Sequence, residues 1–173
     1  MAATPDPDSA AARVDVDDVE GIRERVKGTN INEKSLLATN YLNHFNEIVM
    51  VLGLIPDMPD CLEEAKEWRP KSYPDHFRDS GFSDKELAIT AYDHAPADYR
   101  EMFDGTVEHM NRLVVLCLER IEAAIATDHH DAIEQATQRA TNDLTRLIDV
   151  ASAIINGTKP TISQDEIDDL LSA

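Results

Sequence analysis

The chain has 173 residues, enough for one domain with a sizeable core, and 42% of them are apolar with only 6 Gly. Its net charge of −18, from 34 acidic against 16 basic residues, repels phosphate backbones and anionic lipid, so nucleic acid and membrane surfaces are set aside as partners. The Ala-, Leu- and Glu-rich composition predicts an all-α protein.

Residues 1–31 carry Pro5, Pro7 and the acidic run Asp15, Asp17, Asp18, Glu20, which predicts a mostly flexible acidic arm. Within it Val19, Ile22 and Val26 have the spacing of a short helix. From Asn32, read as an N-cap, the positions Leu37, Tyr41, His44 or Phe45, Ile48 and Leu52 repeat at intervals of three and four, predicting a helix to Leu54. Pro56, Pro59, Pro70 and Pro74 then break the chain, leaving one short helix over 60–68 and a loop through Gly81. Ser83 with Glu86 forms a capping-box pattern bracketed by Phe82 and Leu87, which predicts a helix over 84–94.

Pro96 marks the start of the next helix, over 97–127, whose apolar stripe is Phe103, Val107, Met110, Val114, Cys117, Ile121 and Ala124. After a turn at 127–130 the stripe resumes as Ile133, Ala136, Ala140, Leu144, Leu147, Ala151 and Ile154, ending at Gly157, a favoured residue just past a helix end. Two helices of this length joined by so short a turn form an antiparallel hairpin. Its remaining apolar surface calls for cover, either from the shorter helices in an irregular bundle or from a second copy in a homodimer. The bundle domain is thus expected over 32–157.

Thr158, Lys159 and Pro160 read as a linker, and Ser163 with Glu166, flanked by Ile162 and Ile167, forms another capping-box pattern. The final helix places Ile167, Leu170 and Leu171 on one side and Asp165, Asp168 and Asp169 elsewhere. It is too short to be stable alone in water, so it is expected to fold against a groove.

The run Ile162-Ser163-Gln164-Asp165-Glu166-Ile167-Asp168-Asp169-Leu170-Leu171 resembles the receiver-docking peptide of the flagellar switch protein FliM. Its core Asp168-Asp169-Leu170-Leu171 is similar to the C-terminal docking helix of the CheZ chemotaxis phosphatases, which also hangs by a linker from a long helical hairpin. The resemblance covers about ten residues and implies docking on a CheY-like response regulator. Ile167, Leu170 and Leu171 would then supply apolar contacts, and Asp165, Asp168 and Asp169 would face basic groups of the receiver. CheZ-type chemistry pairs an acidic residue with a glutamine four positions on, the amide orienting water for in-line attack on an aspartyl phosphate.

Asp131 and Gln135 have that spacing, although an Asp at the hairpin turn is equally expected as a partner of the helix dipole. Asp143-Leu144-Thr145 echoes the CheZ run, but Leu147 stands where the glutamine belongs. Asn40, Asn43 and Glu47 share one helical stripe, a second weak set that an ordinary polar face also explains. His44 with Glu47, and Glu108 beside His109, lack the Glu-x-x-His pairing of di-iron bundles, so neither metal nor other cofactor is expected.

Trp68, Tyr73, Phe77 and Phe82 alternate with Arg69, Lys71 and Arg78, the composition of a packed lid or of a protein-binding face. Cys61 and Cys117, the only cysteines, read as reduced thiols. No leader or spanning segment is visible, which points to the cytoplasm. The sequence therefore predicts a cytoplasmic chemotaxis or two-component accessory protein. The competing reading is a helical-bundle protein-binding or metal-binding module whose tail packs on its own body.

Overall fold

The computed structural model describes residues 16–160 and 162–172. Every regular element among them is helical: α1 Val16–Val26, a 3-10 turn at Thr39–Leu42, α2 Asn43–Leu54, α3 Cys61–Glu67, α4 Tyr73–Asp79, α5 Lys85–Asp93, α6 Ala97–Ala126, α7 His130–Ile155 and α8 Gln164–Ser172. None is long and apolar enough to cross a membrane.

α6 and α7, of 30 and 26 residues and thus about 45 and 39 Å long, pack along each other. The reversal between them is tight. Asp128 adopts φ +56°, a conformation Asp tolerates better than most residues, and the Thr127 hydroxyl donates to the Ala124 carbonyl. Facing stripes, including Phe103, Met110, Val114, Cys117 and Ile121 on α6 with Ile133, Ala140, Leu144, Leu147, Ala151 and Ile154 on α7, are buried. α2 adds Phe45, Ile48 and Leu52 against α7. Val107, Ala124 and Ala136, expected in the stripes, lie half-buried at their edges.

The segment before α2 departs from the expected helix. The Asn32 side chain accepts from the Lys34 and Ser35 amides at 2.9 and 3.1 Å, forming a local turn rather than a helix cap. Leu36 sits at φ +59°, and Ile31 bridges to Ala38. The reason lies at the far end of α7, whose terminal carbonyls lack intrahelical partners. The Ser35 hydroxyl donates to the Ile155 carbonyl, while Lys34 Nζ and Tyr99 OH both donate to the Gly157 carbonyl at 2.8 Å.

The same helix end closes with two reverse bonds, Gly157 N–H to Ile154 O and Thr158 N–H to Ala153 O, around Gly157 at φ +84°. A Cβ at Gly157 would lie 2.8 Å from Lys34 Cδ. Gly157→Ala is therefore expected to cost about 1–2 kcal/mol, from the left-handed backbone and displacement of the Lys34 bond. A urea titration checks this, and an unchanged midpoint would mean the cap relaxes without cost.

Two further elements differ from expectation. α4 occupies the predicted loop: the Ser72 hydroxyl accepts from the Asp75 amide at 3.2 Å, and Pro74 sits in the first turn, where no amide donor is needed. At the N-terminal side, Ile22, Val26 and Ile31 are buried, so residues 16–31 belong to the bundle rather than to a flexible arm. Their apolar spacing is enough to hold α1, which lies beside α5, and Asp18 meets His94 at 3.0 Å. The part of the expected arm at 1–15 lies outside the described residues.

Candidate functional site

α8 begins with the predicted capping box fully formed. Ser163 N–H donates to Glu166 Oε2 at 3.0 Å, and Glu166 N–H donates to Ser163 Oγ at 3.1 Å. The Ser163 backbone bond, with its hydroxyl and the nearby Arg146, holds the Glu166 carboxyl below the usual range.

The helix lies against α6 with Ile167 and Leu170 buried and Leu171 half-buried, while Asp165, Asp168 and Asp169 are exposed. A 210 Å³ hollow remains beneath it, lined by Met102, Thr106, His109, Val150 and Ile162 among others. Arg146 of α7 pairs with Glu166, and Lys159 of the linker pairs with Asp98 at the start of α6. The apolar face that would meet a partner is thus seated on the chain's own hairpin, and the acidic face looks outward. Arg146 and Asp98 were invisible as tail contacts because nothing local in the sequence links them to residues 159–166.

The other candidates are scattered. Asp131 and Gln135 are exposed on the first turns of α7, about 28 and 22 Å along that helix from the tail contact at Val150. Gln135 joins an outward stripe with Gln138, Asn142 and Asp143, in which Gln138 donates to Asn142 at 3.0 Å and Arg139 lies 3.6 Å from Asp143. Leu147, at the position a CheZ-type glutamine would take, is buried in the core.

Asn43 and Glu47 are exposed on α2, on either side of a buried His44, and Asn40 is half-buried. His44 stacks on Trp68 with ring centroids 4.7 Å apart and donates through Nε2 to the Arg69 carbonyl at 2.7 Å. Glu108 pairs with Arg112. Among the described residues no three His, Cys, Asp or Glu side chains come together as a metal site. Burial pushes the Cys117 thiol up to about 12, which leaves it a packing residue.

The aromatic stretch from Trp68 to Phe82 packs as a lid. Tyr73 and Phe77 are buried, Trp68 Nε1 donates to the His44 carbonyl at 3.0 Å, and Lys71 and Arg78 pair with Asp79 and Asp75 at 3.0 and 2.7 Å. Comparisons with known protein families, with curated proteins and with solved structures return no match.

Proposed function

We propose that this chain is an accessory protein of chemotaxis or two-component signalling in the cytoplasm, whose tail helix α8 docks on a CheY-like response-regulator receiver. The observation that carries the reading is the form of the tail. The FliM- and CheZ-like run is capped as an amphipathic helix, with its carboxylates outward and a small apolar face of Ile167, Leu170 and Leu171.

That face is lightly held. Two buried aliphatic side chains contribute about 1.5–3 kcal/mol each, the hollow beneath them forgoes further contact, and the exposed Arg146–Glu166 pair adds little. A receiver groove offering the same apolar burial plus basic groups for Asp165, Asp168 and Asp169 can compete for it. Any dephosphorylation of the receiver would fall to exposed polar residues, with Asp131 and Gln135 on α7 first and Asn43 with Glu47 on α2 second.

The test is binding of the full chain, and of a peptide spanning residues 158–173, to phosphorylated and unphosphorylated receivers. Binding that weakens with salt and is lost in Ile167→Ala/Leu170→Ala is the expected result. No binding by either the chain or the peptide rejects the reading. If binding is seen, phosphate release in Asp131→Asn and Gln135→Ala variants decides the enzymatic part.

A second reading follows from the burial of Ile167 and Leu170: a helical module whose tail completes its own core. Under it the amides of α8 exchange as slowly as those of α7, whereas a tail in equilibrium with an undocked form exchanges faster throughout.

A further inference from the structure

Away from the tail, the outer face of α2 is left apolar. Among the described residues four large apolar side chains are exposed, and three of them, Met50, Leu54 and Met58, at 65%, 43% and 49%, follow one another at intervals of four residues. Met50 and Leu54 stand one turn apart on α2. The Met58 amide donates to the Leu54 carbonyl at 2.9 Å, so the chain makes one more helical turn beyond the end of α2 and Met58 extends the stripe. Folding buries the other face, through Phe45, Ile48 and Leu52 against α7, and leaves this one uncovered. A single exposed apolar side chain needs no cover, whereas a contiguous stripe marks a contact surface.

Gly53 lies between Met50 and Leu54. A Cβ there would meet no atom within 4 Å, and the backbone is helical, so nothing in the fold calls for a residue that weakens a helix. Its missing side chain leaves a low point in the stripe, where a second backbone can approach closely.

The surround has one sign. Residues 35–65 hold no Lys or Arg, while Glu47, Asp57, Asp60, Glu63 and Glu64 are all exposed. The next cation, Lys66, is taken by Glu63 and Glu122. Glu47, Asp57, Asp60 and Glu64 make no ion pair among the described residues. A second copy seated symmetrically on the stripe would set these carboxylates against their own counterparts, so the charge selects an occupant of opposite sign. Methionine side chains, flexible and polarizable, fit themselves to apolar anchors of varied shape.

We propose that this face of α2 docks a basic amphipathic helix of another protein, its apolar side chains on Met50, Leu54 and Met58 across Gly53 and its lysines or arginines toward Glu47, Asp57 and Asp60. The surface uses no residue of the tail, which packs on α6.

The probe is a leucine–lysine peptide in amphipathic order, about five helical turns long, titrated into the ¹⁵N-labelled full chain. Two relatives accompany it, one with serine for every leucine and one with glutamate for every lysine. The expected result is saturable shifts at the Asn46, Gly53 and Met58 backbone amides that weaken with salt. The serine relative should bind about tenfold weaker or worse, and the glutamate relative should produce no shifts.

Three variants at exposed positions locate the surface. Met50→Ser/Leu54→Ser and Glu47→Gln/Asp57→Asn/Asp60→Asn should each weaken the peptide about tenfold. Gly53→Gln fills the low point and should weaken it by a similar factor with no fall in melting temperature. Should one variant fail to fold, the other two decide. The proposal is overturned if no shift saturates up to about 1 mM, if the serine relative binds as tightly as the parent peptide, or if any folded variant binds as the parent chain does. A dimer of the free chain in sedimentation that Met50→Ser/Leu54→Ser dissociates would give the stripe to a second copy and overturn it too.

Discussion

Phe103→Ala is expected to cost about 3–5 kcal/mol, among the largest losses available to a single truncation in this chain. The ring is 1% exposed and touches Tyr41 and Tyr73 edge-on at 5.5 and 5.8 Å, so it joins the long hairpin to both the lid and the segment before α2. Its removal leaves a void that two rigid rings and a helix backbone cannot close, and it also abolishes two aromatic pairings. For a domain of this size the melting temperature should fall by roughly 6–20 °C. Val115→Ala on the same helix, at a side chain 51% exposed, should stay within about 0.5 kcal/mol of the parent. Urea titrations of the two variants test this, and similar midpoints would mean the lid is not coupled to the hairpin.

Acidification should destabilise the protein between pH 7.5 and 5.5. His44 and His76 each donate through Nε2 to a backbone carbonyl, of Arg69 and Asn40, at 2.7 and 3.1 Å. Burial, of His44 beneath the lid and of His76 within it, is the main cause holding both rings below the ordinary histidine range, partly opposed by those carbonyl bonds. As pH falls through about 6.5 the unfolded chain takes up protons that the folded chain refuses, so stability present above that value is lost below it.

His94 works in the opposite sense: the Thr90 carbonyl and then Asp18 raise its pKa, and its contribution is present at low pH and lost as pH rises. The prediction is thus specific. His94→Asn should steepen the acid loss, and His44→Asn/His76→Asn should flatten it. A parent midpoint that does not fall at pH 5.5, with no response to either variant, would refute the assignment.

The parts of this fold that could be read from sequence are those fixed by neighbours along the chain. α6 and α7 were legible because a stripe at intervals of three and four can satisfy only a helix with one buried side. The end of α7 was legible because Gly157 tolerates the left-handed cap, and the start of α8 because Ser163 and Glu166 bond each other. What failed was decided at a distance. Asn32 looked like a helix cap, but Ser35 and Lys34 are drawn to the carbonyls at the end of α7, more than a hundred residues away. Pro74 looked like a breaker and is a helix starter. Ser83 and Glu86 looked like a capping box, yet the residue before α5, Asp84, makes no side-chain cap, and the turn closes through backbone bonds such as Lys85 N–H to Phe82 O.

The candidate site was half legible in the same way. The pattern in residues 162–171 says that Ile167 and Leu170 are covered, but no pattern states by what. Gln135, Asn43 and Glu47 are polar and outward, which spacing cannot distinguish from an ordinary solvated face.

The short connection from Gly157 to Ser163 has a consequence for any partner of the tail. A segment tethered so closely to its own groove meets it at an effective concentration in the millimolar range, so a partner in solution competes with a rival that cannot be diluted away. Lengthening that connection lowers the rival's concentration roughly as the −3/2 power of its length, so doubling it would release the tail about threefold more readily without altering a single contact. The spacing between α7 and α8 is in this sense a setting of sensitivity, adjustable by inserting residues between Gly157 and the docking run that begins at Ile162.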